Sequence, residues 1–240
     1  MKRIVQPELL DELPAEDSQA RHSRNDLLRL NAWMGNAGML AGQLQALIPG
    51  PFPRRLLDLG AGDARLMWQV ARRLPGDWRG TQVDLLDRQA ALSSQARRGF
   101  ESLGWSVREL RADVIQFLSD SPIDSWSAIS ANLFLHHFTE TELAELLRLI
   151  SQRTALFVAV EPRRSVLGLL ASRMVGFIGC NRVTRHDAVL SVQAGFNGNA
   201  LSELWPKQGN WLLAERRAGL FSHLFVARRN EAGQAMDCAR

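Results

Sequence analysis

Apolar residues first recur at helical spacing in this chain. From Asn25 onward, Leu27, Leu30, Trp33 or Met34, Leu40, Leu44 and Leu47 fall near a 3.6-residue period, and Gly35 and Gly38 are the points at which the run can divide into two helices. The segment PGPFP, 49–53, breaks it and marks an internal boundary. Beyond that break the pattern alternates. RLLDL predicts a first strand, followed by a helix from about Arg65 to Leu74. TQVDLL, Thr81 to Leu86, predicts a second strand, with a helix over RQAALSSQARRGFESLG after it. SVRELRAD predicts a third, weaker strand ending near Asp113. SAISANLF predicts a fourth, then a helix from Thr139 to Ile150, and Ala155 to Glu161 a fifth strand. WLLAERRAGLFSHLFVARR predicts two strands turning at Ala218–Gly219.

Strands that alternate with helices imply a mainly parallel sheet covered on both faces, and two consecutive strands at the end imply an antiparallel addition. The expected class is therefore α/β: a seven-stranded, mainly parallel sheet with an antiparallel C-terminal strand, preceded by an N-terminal helical segment. We divide the chain into a polar arm and helical cap over 1–50, with residues 1 to about 24 as a partly ordered arm, and a main domain over 51–240. A lid-like insertion is expected at about 165–205. It opens with the apolar run Ser165 to Cys180, which is shorter than a membrane span and has Arg173 in its middle. That run is read as a buried or lid helix in preference to a membrane-surface helix.

Composition narrows the picture. With 46% hydrophobic residues among 240, the chain can build a core without disulfides or structural metals. Its two cysteines, Cys180 and Cys238, form neither a disulfide framework nor a zinc cluster, so no metal is expected and a reducing cytoplasm fits. The first 26 residues have no apolar h-region, which predicts no secretory signal. The net charge of +4 is carried by scattered arginines rather than a stripe, so no nucleic-acid partner is expected.

The junction LDLGAGDARL carries the candidate chemistry. Glycines at the carboxyl end of a strand let the backbone turn sharply and approach a ligand, and the next helix directs free N–H groups to the same place. A dinucleotide fingerprint would put its third small position on Arg65, where a long side chain opposes close helix–strand packing. The competing pattern is acidic-x-G-x-G-x-G, met here by Asp58, Gly60 and Gly62, with Ala64 in place of the last glycine. A carboxylate there repels a pyrophosphate and suits a ligand carrying ammonium and sulfonium cations. On these residues the chain from Arg54 to Arg228 resembles the class I S-adenosylmethionine-dependent methyltransferases of small molecules.

The resemblance implies S-adenosylmethionine as cofactor and S-adenosylhomocysteine as product. Asp58, Gly60, Ala61 and Gly62 would form the glycine bend. Asp87 with Arg88, or more weakly Asp84, would meet the ribose hydroxyls after the second strand, Asp113 and Val114 the adenine after the third, and Asn132 the methionine part after the fourth. NLFL stands where base-methylating enzymes of nucleic acids often carry an Asn/Asp-Pro-Pro-aromatic motif, which disfavours adenine N-methylation.

Methyl transfer needs alignment and, for a phenol or an activated carbon, removal of a proton. His136 is the expected base, as the histidine nearer the pocket mouth. His137 is expected to pack under the following helix, with a substrate contact as its candidate role. Arg182, Arg185 and His186 are expected to order an anionic or phenolic acceptor, with His186 beside Asp187 as a rival base. Asp187 as a helix cap and solvated arginines remain the alternative. The expected function is methyl transfer to a small, hydrophobic or phenolic acceptor of secondary metabolism, O-methylation ranked before C-methylation. The alternatives are a nicotinamide-dependent oxidoreductase and a catalytically silent cofactor-binding protein.

Overall fold

The computed structural model describes residues 1–14, 16–48, 54–89, 91–123 and 125–230. The predicted break at 49–53 and Cys238 lie outside the described residues. Seven strands form one sheet: β1 (Arg55–Leu59), β2 (Gln82–Asp87), β3 (Ser106–Arg111), β4 (Ala128–Asn132), β5 (Leu156–Pro162), β6 (Trp211–Ala218) and β7 (Ser222–Arg229). Their spatial order is β3-β2-β1-β4-β5-β7-β6. The first five pair in parallel, and β7 runs antiparallel to both β5 and β6.

Ten helices are described: α1 (Leu9–Glu12), α2 (Ser18–Met34), α3 (Asn36–Leu47), α4 (Arg65–Ala71), α5 (Ser94–Ser102), α6 (Val114–Asp120), α7 (Glu140–Arg153), α8 (Val166–Met174), α9 (Arg182–Ala194) and α10 (Ala200–Leu204). Successive side chains of a strand point to opposite faces. Leu56 of β1 therefore joins a core layer with Leu40 of α3, Met67 of α4 and Phe100 of α5. Its neighbours Leu57 and Leu59 join the opposite layer with Leu118 of α6, Leu146 of α7 and Leu201 of α10.

Four local differences from the sequence reading have physical causes. The helix expected from Asn25 begins at Ser18, because the Asp17 side chain accepts from the backbone N–H groups of Gln19 and Ala20. It ends at Gly35, whose φ of +75° is the left-handed turn between α2 and α3, while Gly38 lies inside α3. The helix expected over 88–104 starts only at Ser94, capped by Ser93. Helix α6, unassigned in the sequence, is a seven-residue element capped by Asp113, too short to show a helical period.

The first residues are also tied down. Arg3 donates to the backbone carbonyls of Ala194 and Phe138 at 2.8 Å each, and Ile4 N–H donates to Gln193 at 3.2 Å. Leu9 and Leu10, at the start of α1, donate their N–H groups to Asp187 of α9 at 2.9 and 3.0 Å. The polar arm is a strap laid across α9.

Candidate active site

Parallel strands β1, β2 and β4 end side by side, so the loops that follow them meet at one edge of the sheet. The loop after β1 crosses to β2, with Gly60 and Ala61 donating to the Leu86 carbonyl at 2.9 and 3.1 Å. Gly60, Gly62 and Ala64 all take positive φ, at 67°, 54° and 62°. Ala64 thus adopts a backbone that glycine adopts freely and L side chains disfavour. Gly62 has nothing within 4 Å of the position a Cβ would take, so its bare backbone faces open space. A Cβ on Gly60 would lie 2.3 Å from Phe134, so that glycine serves the packing of the Phe134 ring.

These loops line a cavity of about 440 Å³, within the range of small-molecule sites. It gathers the cofactor candidates Asp58, Gly60, Ala61, Gly62, Asp87, Arg88, Asp113, Val114 and Asn132. His136 and His137 line it too. Asp87 is oriented by Gly62 N–H at 2.9 Å on one oxygen and Gln89 N–H at 2.7 Å on the other. Asp113 caps α6 through one oxygen, Oδ1, accepting from Ile115 and Gln116. Asp84 is elsewhere. It is buried inside β2, held by a two-pronged contact from Arg108 at 2.8 Å and by Trp126 Nε1 at 2.7 Å, which makes it a structural anchor.

Asp58 is buried and accepts from Ser130 Oγ at 2.7 Å. Burial, with help from the Asp87 charge and against the Ser130 hydrogen bond, pushes its pKa up to about 7. Asn132 belongs to an amide network the sequence did not reveal. Its Nδ2 donates to Asn31 at 3.0 Å, and Asn36 Nδ2 donates to its Oδ1 at 2.9 Å, locking α2 and α3 onto the end of β4.

The histidine pair is built by Glu161, at the end of β5. One oxygen of this buried carboxylate accepts from the N–H groups of Phe134 and Leu135 at 3.0 and 2.9 Å, and the other meets His136 Nδ1 at 2.9 Å. His136 Nε2 lies 3.3 Å from Glu8 Oε1, from the N-terminal strap. Burial opposes a charged imidazole, but hydrogen bonds to Glu161 and Glu8 and their charges outweigh it and raise the His136 pKa to about 9. His136 is therefore an imidazolium between two carboxylates. The expected placing of the pair is reversed: His136 is almost fully buried, whereas His137 is partly exposed and meets Asp11 at 3.1 Å. Glu8, His136 and His137 also bring one ligand-type atom each within 4.8 Å of one another.

Arg182, Arg185 and His186 do not line the cavity. They project outward from α9, because its buried face is taken by Val183, Thr184 and Asp187. Asp187 is engaged by the strap and by His186 Nδ1 at 3.0 Å, so that pair anchors the N-terminal residues. Glu8, Glu161 and Asn31 were missed. Glu161 alone had a local signal, an acid ending an otherwise apolar strand.

Comparison with solved structures gives a coherent group. Mitomycin 7-O-methyltransferase matches over 92% of this chain and 60% of its own, at TM-score 0.58 and 18% identity. Human N-acetylserotonin methyltransferase, solved with S-adenosylmethionine, matches over 92% of this chain and 61% of its own, at TM-score 0.54 and 15% identity. Magnesium protoporphyrin IX methyltransferase from Synechocystis, solved with S-adenosylhomocysteine, matches over 89% and 88%, at TM-score 0.51 and 13% identity. This chain has the class I S-adenosylmethionine-dependent methyltransferase fold. No protein-family model and no curated protein sequence matches it. The chain spans about three fifths of the length of the first two methyltransferases. In a methyltransferase fold the cavity edge described above is the expected ligand edge, beyond the carboxyl ends of the parallel strands.

Proposed function

We propose that this chain transfers a methyl group from S-adenosylmethionine to a small, hydrophobic or phenolic acceptor, O-methylation before C-methylation. The observation that carries this reading is the convergence of Asp58, Gly62, Asp87, Asp113, Asn132 and both histidines on one cavity. The residues suit the cofactor: Gly62 leaves open the space a side chain would fill, and the lining carries the carboxylates Asp58, Asp87 and Asp113, which can accept from hydroxyls and offset positive charge. S-adenosylmethionine, when bound, supplies an electrophilic methyl group on a good leaving group.

The chain's own residues do the rest. Asp87 accepts from the ribose hydroxyls, Asp113 and Val114 hold the adenine end, and Asp58 answers the positive charge of the methionine end. Glu161 fixes the ring of His136 through Nδ1, leaving Nε2 toward the cavity. An acceptor hydroxyl bonding to Nε2 takes the place of Glu8. The loss of one carboxylate lowers the His136 pKa from about 9 toward neutrality, where the imidazole can take a proton. Glu161 then stabilises the imidazolium that forms.

The mitomycin and N-acetylserotonin enzymes are by name methyltransferases of small molecules, which supports an acceptor of that class. The test is calorimetric titration with S-adenosylmethionine, then a labelled-methyl transfer assay over a panel of phenols, with His136→Asn as control. Absence of cofactor binding refutes the reading. Undiminished transfer by His136→Asn removes that residue from the chemistry.

A further inference from the structure

Helix α8 and the 3₁₀ turn after it, Val175–Ile178, are not wholly buried, which leaves the lid form of the buried or lid helix expected for Ser165 to Cys180. Val166, Leu167, Leu170, Met174, Phe177 and Ile178 are all exposed, Phe177 at 88%. Their spacing puts them along one side of the helix. The other side, with Gly168, Ser172 and Val175, is buried, and a Cβ on Gly168 would touch Val192 of α9 at 3.3 Å. The apolar stripe is therefore the outward face of a helix already seated on the body of the protein. Exposed apolar stretches of this kind mark interaction surfaces.

Charge selects among occupants. Arg173, Arg182 and Arg185 are exposed around the stripe, and no Asp or Glu occurs between Arg163 and His186. Asp187 is buried and engaged by the N–H groups of Leu9 and Leu10. A second copy docked by a two-fold axis would bring like arginines together. An anionic lipid surface meets both features, apolar side chains in the acyl boundary and guanidinium groups at the headgroups. No helix among the described residues is long and apolar enough to cross a membrane, so the contact is with one leaflet.

We propose that the Val166–Ile178 face is a docking surface for anionic lipid. It lies on the outside of a layer, α8 on α9, whose inner member contributes Ser191 to the cavity. This surface stands independently of the methyl-transfer reading. The test is co-sedimentation of the full chain with vesicles of phosphatidylcholine and phosphatidylglycerol in about a two-to-one ratio, against phosphatidylcholine alone. Binding is expected to the mixed vesicles and to weaken with salt. Met174→Ser with Phe177→Ser is expected to reduce binding at least about tenfold. Arg173→Gln is expected to cost about fivefold, on anionic vesicles only. All three side chains are exposed, so unchanged thermal melting shows that the fold is retained. No preference for anionic vesicles, or equal binding by the serine variant, overturns the proposal. So does a concentration-dependent dimer that Phe177→Ser dissolves, which would give the face to a second copy.

Discussion

Replacing Asp58 with asparagine tests the electrostatic logic of the cavity most directly. The carboxyl is buried and its pKa stands at about 7 against an ordinary 3.8, a preference for the neutral form worth about 4 kcal/mol. In the unfolded chain the group ionises near pH 4, whereas in the folded chain it resists until about 7. Folding stability contributed by this group therefore falls as pH rises through that window and levels off above it. The asparagine is neutral throughout and keeps an oxygen for Ser130, so the variant gains on the wild type by about 3 kcal/mol between pH 5 and pH 8. Ligand binding has the opposite sign. A cationic cofactor favours ionised Asp58, so its binding expels the proton. Wild-type affinity then rises by up to about tenfold per pH unit below 7 and flattens above it. Between pH 5.5 and 7 the ammonium and carboxylate of S-adenosylmethionine keep their charges, so the ligand itself adds no slope. Isothermal calorimetry in two buffers of different ionisation enthalpy measures the released proton. Equal slopes in the wild type and Asp58→Asn, or no slope in either, would refute the reasoning.

Two further outcomes follow from the geometry. Gly62→Val combines a φ of +54° with a side chain in open cavity space, so cofactor affinity should fall below detection by calorimetry while the melting temperature drops by only a few degrees. Gly60→Val would instead collide with Phe134 and report on folding, so retained binding by the Gly62 variant is the result that counts against the assigned bend. Glu8→Gln removes one of the two carboxylates that raise the His136 pKa in the free enzyme, so the acidic limb of the kcat/KM profile should move to lower pH while that of kcat, where the acceptor has displaced Glu8, stays in place. An unmoved kcat/KM limb would mean that Glu8 does not set the His136 pKa in the free enzyme.

Much of the fold was legible because its signals are local. Short strand-like runs bounded by turn signals identified the seven strands, and their alternation with helices implied the parallel sheet now seen in the order β3-β2-β1-β4-β5-β7-β6. The positive-φ residues Gly60, Gly62 and Ala64 were legible as a bend, since glycine and a small residue mark where the backbone must turn. Asp87, Asp113 and Asn132 were legible because strand ends in a parallel sheet share one edge, so position along the chain fixed position in space.

Only the tertiary structure decided the chemistry around His136. Glu8 approaches it across 128 positions of sequence and Glu161 across 25, and no local pattern in the polar arm announces the first contact. The burial that reverses the expected placing of His136 and His137, and turns Arg182, Arg185 and His186 outward, depends on which helix faces the neighbouring elements meet. Strand ends are set by short-range pattern, whereas the ionisation of a buried side chain is set by everything packed against it. The first can be read from a chain of letters; the second exists only once distant segments have been brought into contact.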